Sequence, residues 1–202
     1  DSYRVYYQGK LKMSDPVFDT FVARRTAESE ANSARQRSAI AALAKARGIV
    51  LASHDDATAG HVDESIEHGI RVAEFPTTLE AARASHEAGL SVLMGAPNVV
   101  RGGSHSGNVS ARVLTEAGLL DILSSDYIPF SLLQAAFNLD KLVEAISLPE
   151  AIRLVTRHPA DAASLTDRGE IAPGKRADLV RVRVDGDVPV VRAVWREGRR
   201  VI

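Results

Sequence analysis

The chain contains no cysteine among its 202 residues, which excludes disulfide bonds, cysteine-ligated zinc, iron–sulfur clusters and thiol nucleophiles. It also lacks any apolar run close to the roughly 20 residues that cross a bilayer. Neither sign of charge dominates, because 25 Lys and Arg residues stand against 26 Asp and Glu residues, for a formal net charge of −1. This balance excludes a strongly basic nucleic-acid-binding protein. We therefore expect neither a nucleic acid nor a membrane as partner.

The rest of the composition is that of an ordinary globular protein. Hydrophobic residues make up 45% of the chain and charged residues 25%, so a chain of this length can bury a sizeable core. Residues 1–4 show neither an initiator methionine nor a signal-peptide pattern. We therefore expect a cytoplasmic location, and a chain that is part of a longer protein.

A repeated helix–glycine–strand unit follows an opening segment, residues 1–47, that is typical of helix. Four short apolar runs each come after a helical stretch and a glycine: Gly48, Gly69, Gly89 and Gly118. Because glycine commonly closes a helix, the alternation predicts successive βα units and a parallel sheet.

Polar residues follow each of these predicted strands at its carboxyl end. They occur in the segments 54–56, 74–78, 95–98 and 125–127. Active sites of barrels and open α/β sheets are built at that edge. Four such endings indicate one site assembled from several strands.

His54 and Asp126 are the candidate metal ligands. An imidazole offers a lone pair to zinc-like ions, and a carboxylate can bind metal and take a proton from bound water. The alternatives are a satisfied histidine at the start of a helix and a helix-capping aspartate. Asp55 and Asp56 are weaker candidates beside His54, and Glu74 could be a ligand, a base or a buried partner for arginine.

The segment between two asparagines, Asn98 and Asn108, is the candidate substrate-binding loop. Its residues suited to holding an anion are Asn98, Arg101, Gly102, Gly103, Ser104, His105 and Asn108. Glycine amides, an arginine and the start of a helix, predicted near Val109, together favour phosphate. The Gly-Lys-Ser/Thr ending of a Walker loop is absent. The alternative is a flexible surface loop.

The end of the chain changes character after a helix predicted from Leu148 to about Arg157. Short β-rich runs separated by turns predict a small antiparallel β module. We therefore place the domain boundary between residues 163 and 164, with a partial (β/α) barrel over 1–163 and the β module over 164–202.

Residues 169–180, with 156–160 before them, resemble the C-terminal signature of the amidohydrolase superfamily. The strand-end motifs resemble the phosphonate-metabolism branch of that superfamily; they lie in residues 52–56, 74–78, 94–108 and 123–127. The resemblance implies an α/β fold: the C-terminal part of a TIM-like (β/α)₈ amidohydrolase barrel followed by a small β-sandwich module.

The resemblance also implies an activity: a metal-dependent hydrolase that releases pyrophosphate from a phosphorylated sugar, a ribose 5-triphosphate. His54 and Asp126 would hold a divalent metal, which we expect to be zinc, with one or two ions in the full-length enzyme, and Asp126 would act as general base. The alternatives are an amidohydrolase that acts on a cyclic amide or deaminates a base, and a non-catalytic fragment that needs a second chain.

Two departures from the superfamily pattern affect the predicted site. The superfamily's His-x-His pair is absent, and Glu74 stands where another ligand histidine is expected. We therefore expect the N-terminal half of the same protein to complete the site, and we consider a homo-oligomer as well.

Overall fold

The computed structural model describes residues 2–104 and 106–202. The described part divides into two compact units, one up to Ile49 and one from Val50 onward. The helices are α1 (Ser2–Leu11), α2 (Asp15–Ala46), α3 (Ala59–Glu67), α4 (Leu79–Glu87), α5 (Ala96–Arg101), α6 (Ala111–Glu116), α7 (Ser131–Leu142), α8 (Leu148–Arg153) and α9 (Arg157–Ala162). The strands are β1 (Ala52–His54), β2 (Val72–Glu74), β3 (Ser91–Gly95), β4 (Ile122–Ser124), β5 (Leu179–Asp185), β6 (Val188–Arg196) and β7 (Arg199–Arg200).

The first unit consists of the two helices α1 and α2, which confirms the helical prediction for this segment. Ser14 occupies the N-cap of α2, and proline follows in the first turn, where its missing N–H costs nothing. Phe18 is buried and the Arg4 guanidinium lies 4.8 Å from the centre of its ring. An aromatic contact and a cation therefore hold the two helices together.

The second unit opens with a four-stranded parallel sheet in the order β1-β2-β3-β4. The predicted βα alternation is therefore confirmed. Within the described residues the sheet is open, so the closed barrel that the resemblance implies stays a prediction.

The strands are shorter than the apolar runs in the sequence. The residue after each closing glycine donates its N–H to a carbonyl five residues earlier, as in Leu90 to Ser85 at 2.9 Å and Leu119 to Leu114 at 2.8 Å. This is the hydrogen bond of a Schellman closure, and the left-handed glycine that it needs is present before each of them. The first apolar residues of each run therefore close a helix instead of joining the sheet.

The core of the second unit lies between the sheet and the helices that follow it. Its buried members include Val92, Met94, Leu114, Leu123 and Leu139. Leu114 and Leu139 are fully buried, and each such leucine stabilises the fold by about 2 kcal/mol.

The predicted helix from Leu148 to Arg157 is two helices, which corrects the sequence prediction. The chain turns at residues 154–156, where N–H groups bond three residues back, and α9 then begins. The carbonyl of Leu154 accepts the N–H of Leu123 in β4 at 2.9 Å. This carbonyl accepts a hydrogen bond from the edge strand of the sheet. In a continuous helix it would instead accept the N–H four residues later.

The end of the chain is an antiparallel sheet in the order β5-β6-β7. This confirms the predicted β module as a single sheet, whereas the second layer of a sandwich stays a prediction. The domain boundary at 163/164 also stays a prediction. No helix in the described part of the chain is both long and apolar enough to span a membrane.

Candidate functional site

A cavity of about 450 Å³ lies at the carboxyl ends of β1 to β4. Each strand contributes a residue at or just after its end: His54, Phe75, Gly95 and Asp126. The structure therefore brings His54 and Asp126 to the lining of one cavity, at the edge where parallel sheets carry their active sites. Their metal-binding and catalytic roles stay predictions.

The backbone turns sharply where three of these four strands finish. Asp55, Phe75 and Asp126 have φ of 61°, 54° and 49°, in the left-handed region that non-glycine residues rarely enter. Asp55 and Phe75 still donate N–H bonds to Glu74 and Leu93 of the next strand, at 3.0 and 2.9 Å. Each such residue costs about 1–3 kcal/mol and is typical of functional sites.

His54 is the last residue of β1, and its imidazole has a fixed neighbour. Its Nδ1 lies 3.1 Å from Oδ2 of Asp55, and its ring meets the ring of Phe75 edge-on with centroids 5.4 Å apart. A carboxylate on one ring nitrogen orients the ring and sets its tautomer. Nε2 is therefore the nitrogen suited to binding an ion.

Part of the predicted substrate-binding loop is helical, because α5 runs from Ala96 to Arg101. The amides of Gly102 and Gly103 donate to carbonyls of α5, at 3.1 and 2.9 Å. Oγ of Ser104 accepts the amides of Ser106 and Asn108, at 3.2 and 3.3 Å. These amides are engaged within the loop, so the predicted anion binding would have to rest on side chains.

The helix predicted near Val109 begins at Ala111, and two of its first three N–H groups already have side-chain acceptors. Asn98 Oδ1 accepts the amide of Ala111 at 3.0 Å, and Ser110 Oγ accepts that of Val113 at 3.2 Å. Asn98 thus holds the loop against α6 and keeps its side-chain NH₂ as a donor. His105 lies outside the described residues.

Arg101 and Asn108 line the cavity together with Tyr127. Nη1 of Arg101 donates to the hydroxyl of Tyr127 at 3.3 Å, which ties the end of α5 to the residue after Asp126. Tyr127 was not predicted from the sequence as a site residue. Its position next to Asp126 could have indicated a site residue. Its hydrogen bond to Arg101, 26 positions earlier, could not be predicted from the spacing of residues in the sequence.

Two of the weaker candidates are not brought to the cavity. Among its described lining residues, neither Asp56 nor Glu74 appears. Asp56 is buried and accepts the hydroxyl of Ser53 at 2.6 Å, while its carbonyl accepts the amide of Thr77 at 2.9 Å. It joins the loops after β1 and β2, whereas Asp55 does line the cavity.

The donor types at this edge suit a divalent metal, but their number does not complete a site. Histidine and aspartate are zinc ligands. Among the residues that the structure describes, however, no group of three or more His, Asp or Glu side chains is placed to hold an ion. The chain therefore offers only part of a ligand set.

Comparison with known proteins gives a family match and relatives that cover all or part of the chain. A family model described as the amidohydrolase family matches residues 27–202. The α-D-ribose 1-methylphosphonate 5-triphosphate diphosphatase of Escherichia coli K12 is 53% identical over 202 residues, which are 100% of this chain and 53% of that protein. The imidazolonepropionase of Streptomyces griseus is 38% identical over 104 residues, 46% of this chain and 27% of that protein.

Solved structures agree with the fold. An uncharacterised protein matches with a TM-score of 0.60 and 22% identity, over 82% of this chain and 48% of its own. The ochratoxinase of A. niger matches with a TM-score of 0.59 and 17% identity, over 81% of this chain and 44% of its own. The chain thus spans about half the length of the diphosphatase and of both solved structures, and its match covers about a quarter of the imidazolonepropionase.

Proposed function

The chain belongs to the amidohydrolase family, and from this premise we propose that it is the C-terminal half of a metal-dependent diphosphatase. The proposed substrate is α-D-ribose 1-methylphosphonate 5-triphosphate, and the proposed product is pyrophosphate. The observation that carries the proposal is the cavity that joins His54, Asp126 and Arg101, in a chain 53% identical throughout to a protein of that name.

In this proposal His54 and Asp126 would hold a divalent ion, zinc, with further ligands supplied by the N-terminal half of the same protein or by a second copy. Such an ion makes bound water acidic near neutral pH and polarises phosphoryl oxygens. The chain's own contribution begins with Asp126, whose carboxylate takes a proton from the attacking water.

The bond that forms joins the water oxygen to the first phosphorus of the triphosphate, and the bond that breaks joins that phosphorus to the bridging oxygen. Pyrophosphate leaves with the bridging oxygen and a sugar monophosphate remains. Arg101 binds the oxyanions of the chain of phosphates, because a guanidinium matches phosphate oxygens in a bidentate geometry. The side chains of Asn98 and Asn108 add neutral donors on the same wall.

A hybrid protein tests the proposal directly. This chain replaces the matching segment of the Escherichia coli relative, and pyrophosphate release from the ribose triphosphate is measured with zinc and after chelation. We expect release that is lost on chelation, restored by zinc and abolished by Asp126→Asn. A hybrid that unfolds cooperatively but releases no pyrophosphate overturns the proposal. Turnover of a cyclic amide instead would support the alternative hydrolase.

A further inference from the structure

We propose that Gly95 is a positioning residue for Asp126: it is glycine because a side chain there would displace the Asp126 carboxylate. The inference rests on the proposed function for its catalytic part, and on contacts within the sheet for its structural part. Gly95 ends β3 and lines the cavity beside Asp126.

The backbone at Gly95 does not require glycine. Its φ of −76° and ψ of 129° are extended values that any residue adopts. The usual reasons for a glycine, a left-handed conformation or a tight turn, are therefore absent at this position. The explanation must lie in the space around the missing side chain.

That space is occupied by the side chain of Asp126. A Cβ on Gly95 would lie 3.2 Å from Oδ2 of Asp126 and 3.5 Å from its Cβ, with Pro97 Cδ next at 3.6 Å. The first distance is shorter than ordinary van der Waals contact between carbon and oxygen, so the carboxylate would have to move by a few tenths of an ångström.

The backbone of Asp126 has little freedom to yield, whereas its exposed side chain can turn. Its φ of 49° fixes a left-handed backbone two residues beyond β4, and the register pairs Gly95 with Ser124. The two positions are thus held at a set distance by the sheet itself. A methyl group at 95 would be accommodated by turning the carboxylate away from its place in the cavity.

Gly95 is also the N-cap of α5, which offers a second explanation that a variant can separate. Serine is at least as good an N-cap as glycine, so a capping role predicts that Gly95→Ser keeps activity. The positioning role predicts that both Gly95→Ser and Gly95→Ala lower kcat.

The first experiment uses the hybrid enzyme. A misplacement near 1 Å can cost about a hundredfold in rate, so we expect Gly95→Ala to lower kcat about tenfold and to leave KM within about twofold. Gly60→Ala is the matched control, because a Cβ there meets only Thr58 Oγ1 at 3.8 Å. Unchanged kcat in Gly95→Ala, or full activity in Gly95→Ser, overturns the proposal.

The second experiment needs no activity and uses this chain itself. Urea unfolding of the parent, Gly95→Ala, Asp126→Gly and the double variant gives a double-mutant cycle. Residues in contact couple measurably, so we expect Gly95→Ala to change the unfolding constant about fivefold more when Asp126 is present. Zero coupling overturns the contact. A hybrid without pyrophosphate release would overturn the proposed function alone and leave this readout standing.

Discussion

Arg101 reaches the cavity from the last turn of α5, and its guanidinium is held by the hydroxyl of Tyr127. Because charge-assisted hydrogen bonds contribute about 1.5–3 kcal/mol, we expect Arg101→Ala in the hybrid enzyme to raise KM for the triphosphate at least tenfold. The melting temperature should change little, since an exposed charge adds little stability.

Arg112→Ala is the control for that measurement. Its guanidinium pairs with Glu116 on the surface of α6, at 2.8 Å, outside the described lining of the cavity. Steady-state kinetics and a thermal melt on both variants show whether Arg101 acts in substrate binding or in stability. Equal KM values for the two variants would remove Arg101 from the binding wall.

At the residue scale, the side chains that were predictable from the sequence are those whose type suits binding of a metal or a phosphate. His54, Asp126 and Arg101 were predicted from type and position, and the structure places them around one cavity. Gly95 and Tyr127 were not predicted, because their contacts with Asp126 and Arg101 arise only when strands far apart in the chain become neighbours. A residue that acts by lacking a side chain gives no signal in a single sequence.

At the scale of elements, the structure explains why the C-terminal signature, residues 169–180, begins with a glycine, Gly169. Its φ is +97°, and a Cβ there would lie 2.9 Å from Ala160 Cβ and 3.0 Å from Arg157 Cα. We expect Gly169→Ala to lower the free energy of unfolding by about 3 kcal/mol, since backbone strain and overlap with a neighbouring backbone add up.

Gly174 provides the comparison within the same motif. Its φ is +82°, but a Cβ would meet nothing within 4 Å, so Gly174→Ala carries the backbone cost alone, about 1 kcal/mol. Chemical denaturation of both variants separates the two contributions. Similar losses at both positions would show that close packing against α9 does not matter.

The start of α8 predicts a dependence of stability on pH. The hydroxyl of Ser147 donates a hydrogen bond to the Glu150 carboxylate, and so does its amide. These two bonds, the hydroxyl's contributing more, hold the pKa of Glu150 below the ordinary 4.5. A lowered pKa in the folded state gives stability that is present above the unfolded value and is lost as the pH falls through the folded one. Glu150→Gln should therefore be less stable than the parent at pH 7.

Acid titration of the two proteins checks this expectation. The difference in unfolding midpoint should shrink as the pH falls below 4.5, because the parent's carboxyl is then protonated and neutral like the amide. Asp140→Asn, on α7, is the matched control for loss of one acidic group. A difference that stays constant from pH 7 to pH 3 would mean that the charge of Glu150 is not what stabilises the helix.

The βα alternation of these elements was predictable from four glycines, and their boundaries were less so. The glycine closures consume the first apolar residues of each run, and the split between α8 and α9 depends on a carbonyl needed by β4. Both effects come from hydrogen bonds that hydropathy does not encode.

At the scale of the whole molecule, the sheet is open and the set of metal ligands is incomplete, and both are expected if the chain is half of a larger barrel. Affinity for a metal depends on ligand number and geometry, and among the described residues the cavity brings together His54, Asp126 and the weaker candidate Asp55, which do not form a complete ligand group. We expect this chain alone to bind zinc weakly, and calorimetry should show His54→Ala reducing what binding there is. Tight stoichiometric binding would contradict this expectation.

The corner between each helix and the next strand also bears on how such proteins diverge. Behind α3, α4 and α6 the chain closes with the same Schellman bond. One residue inserted between that bond and the strand end would exchange the two faces of the strand and carry the cavity side chains away. Loops beyond the strand ends have no such constraint. Insertions and deletions among relatives should therefore accumulate in the loops after the strands, as in residues 102–110. Substrate choice can then diversify through the length of these loops, while the helix–strand corners keep a constant length.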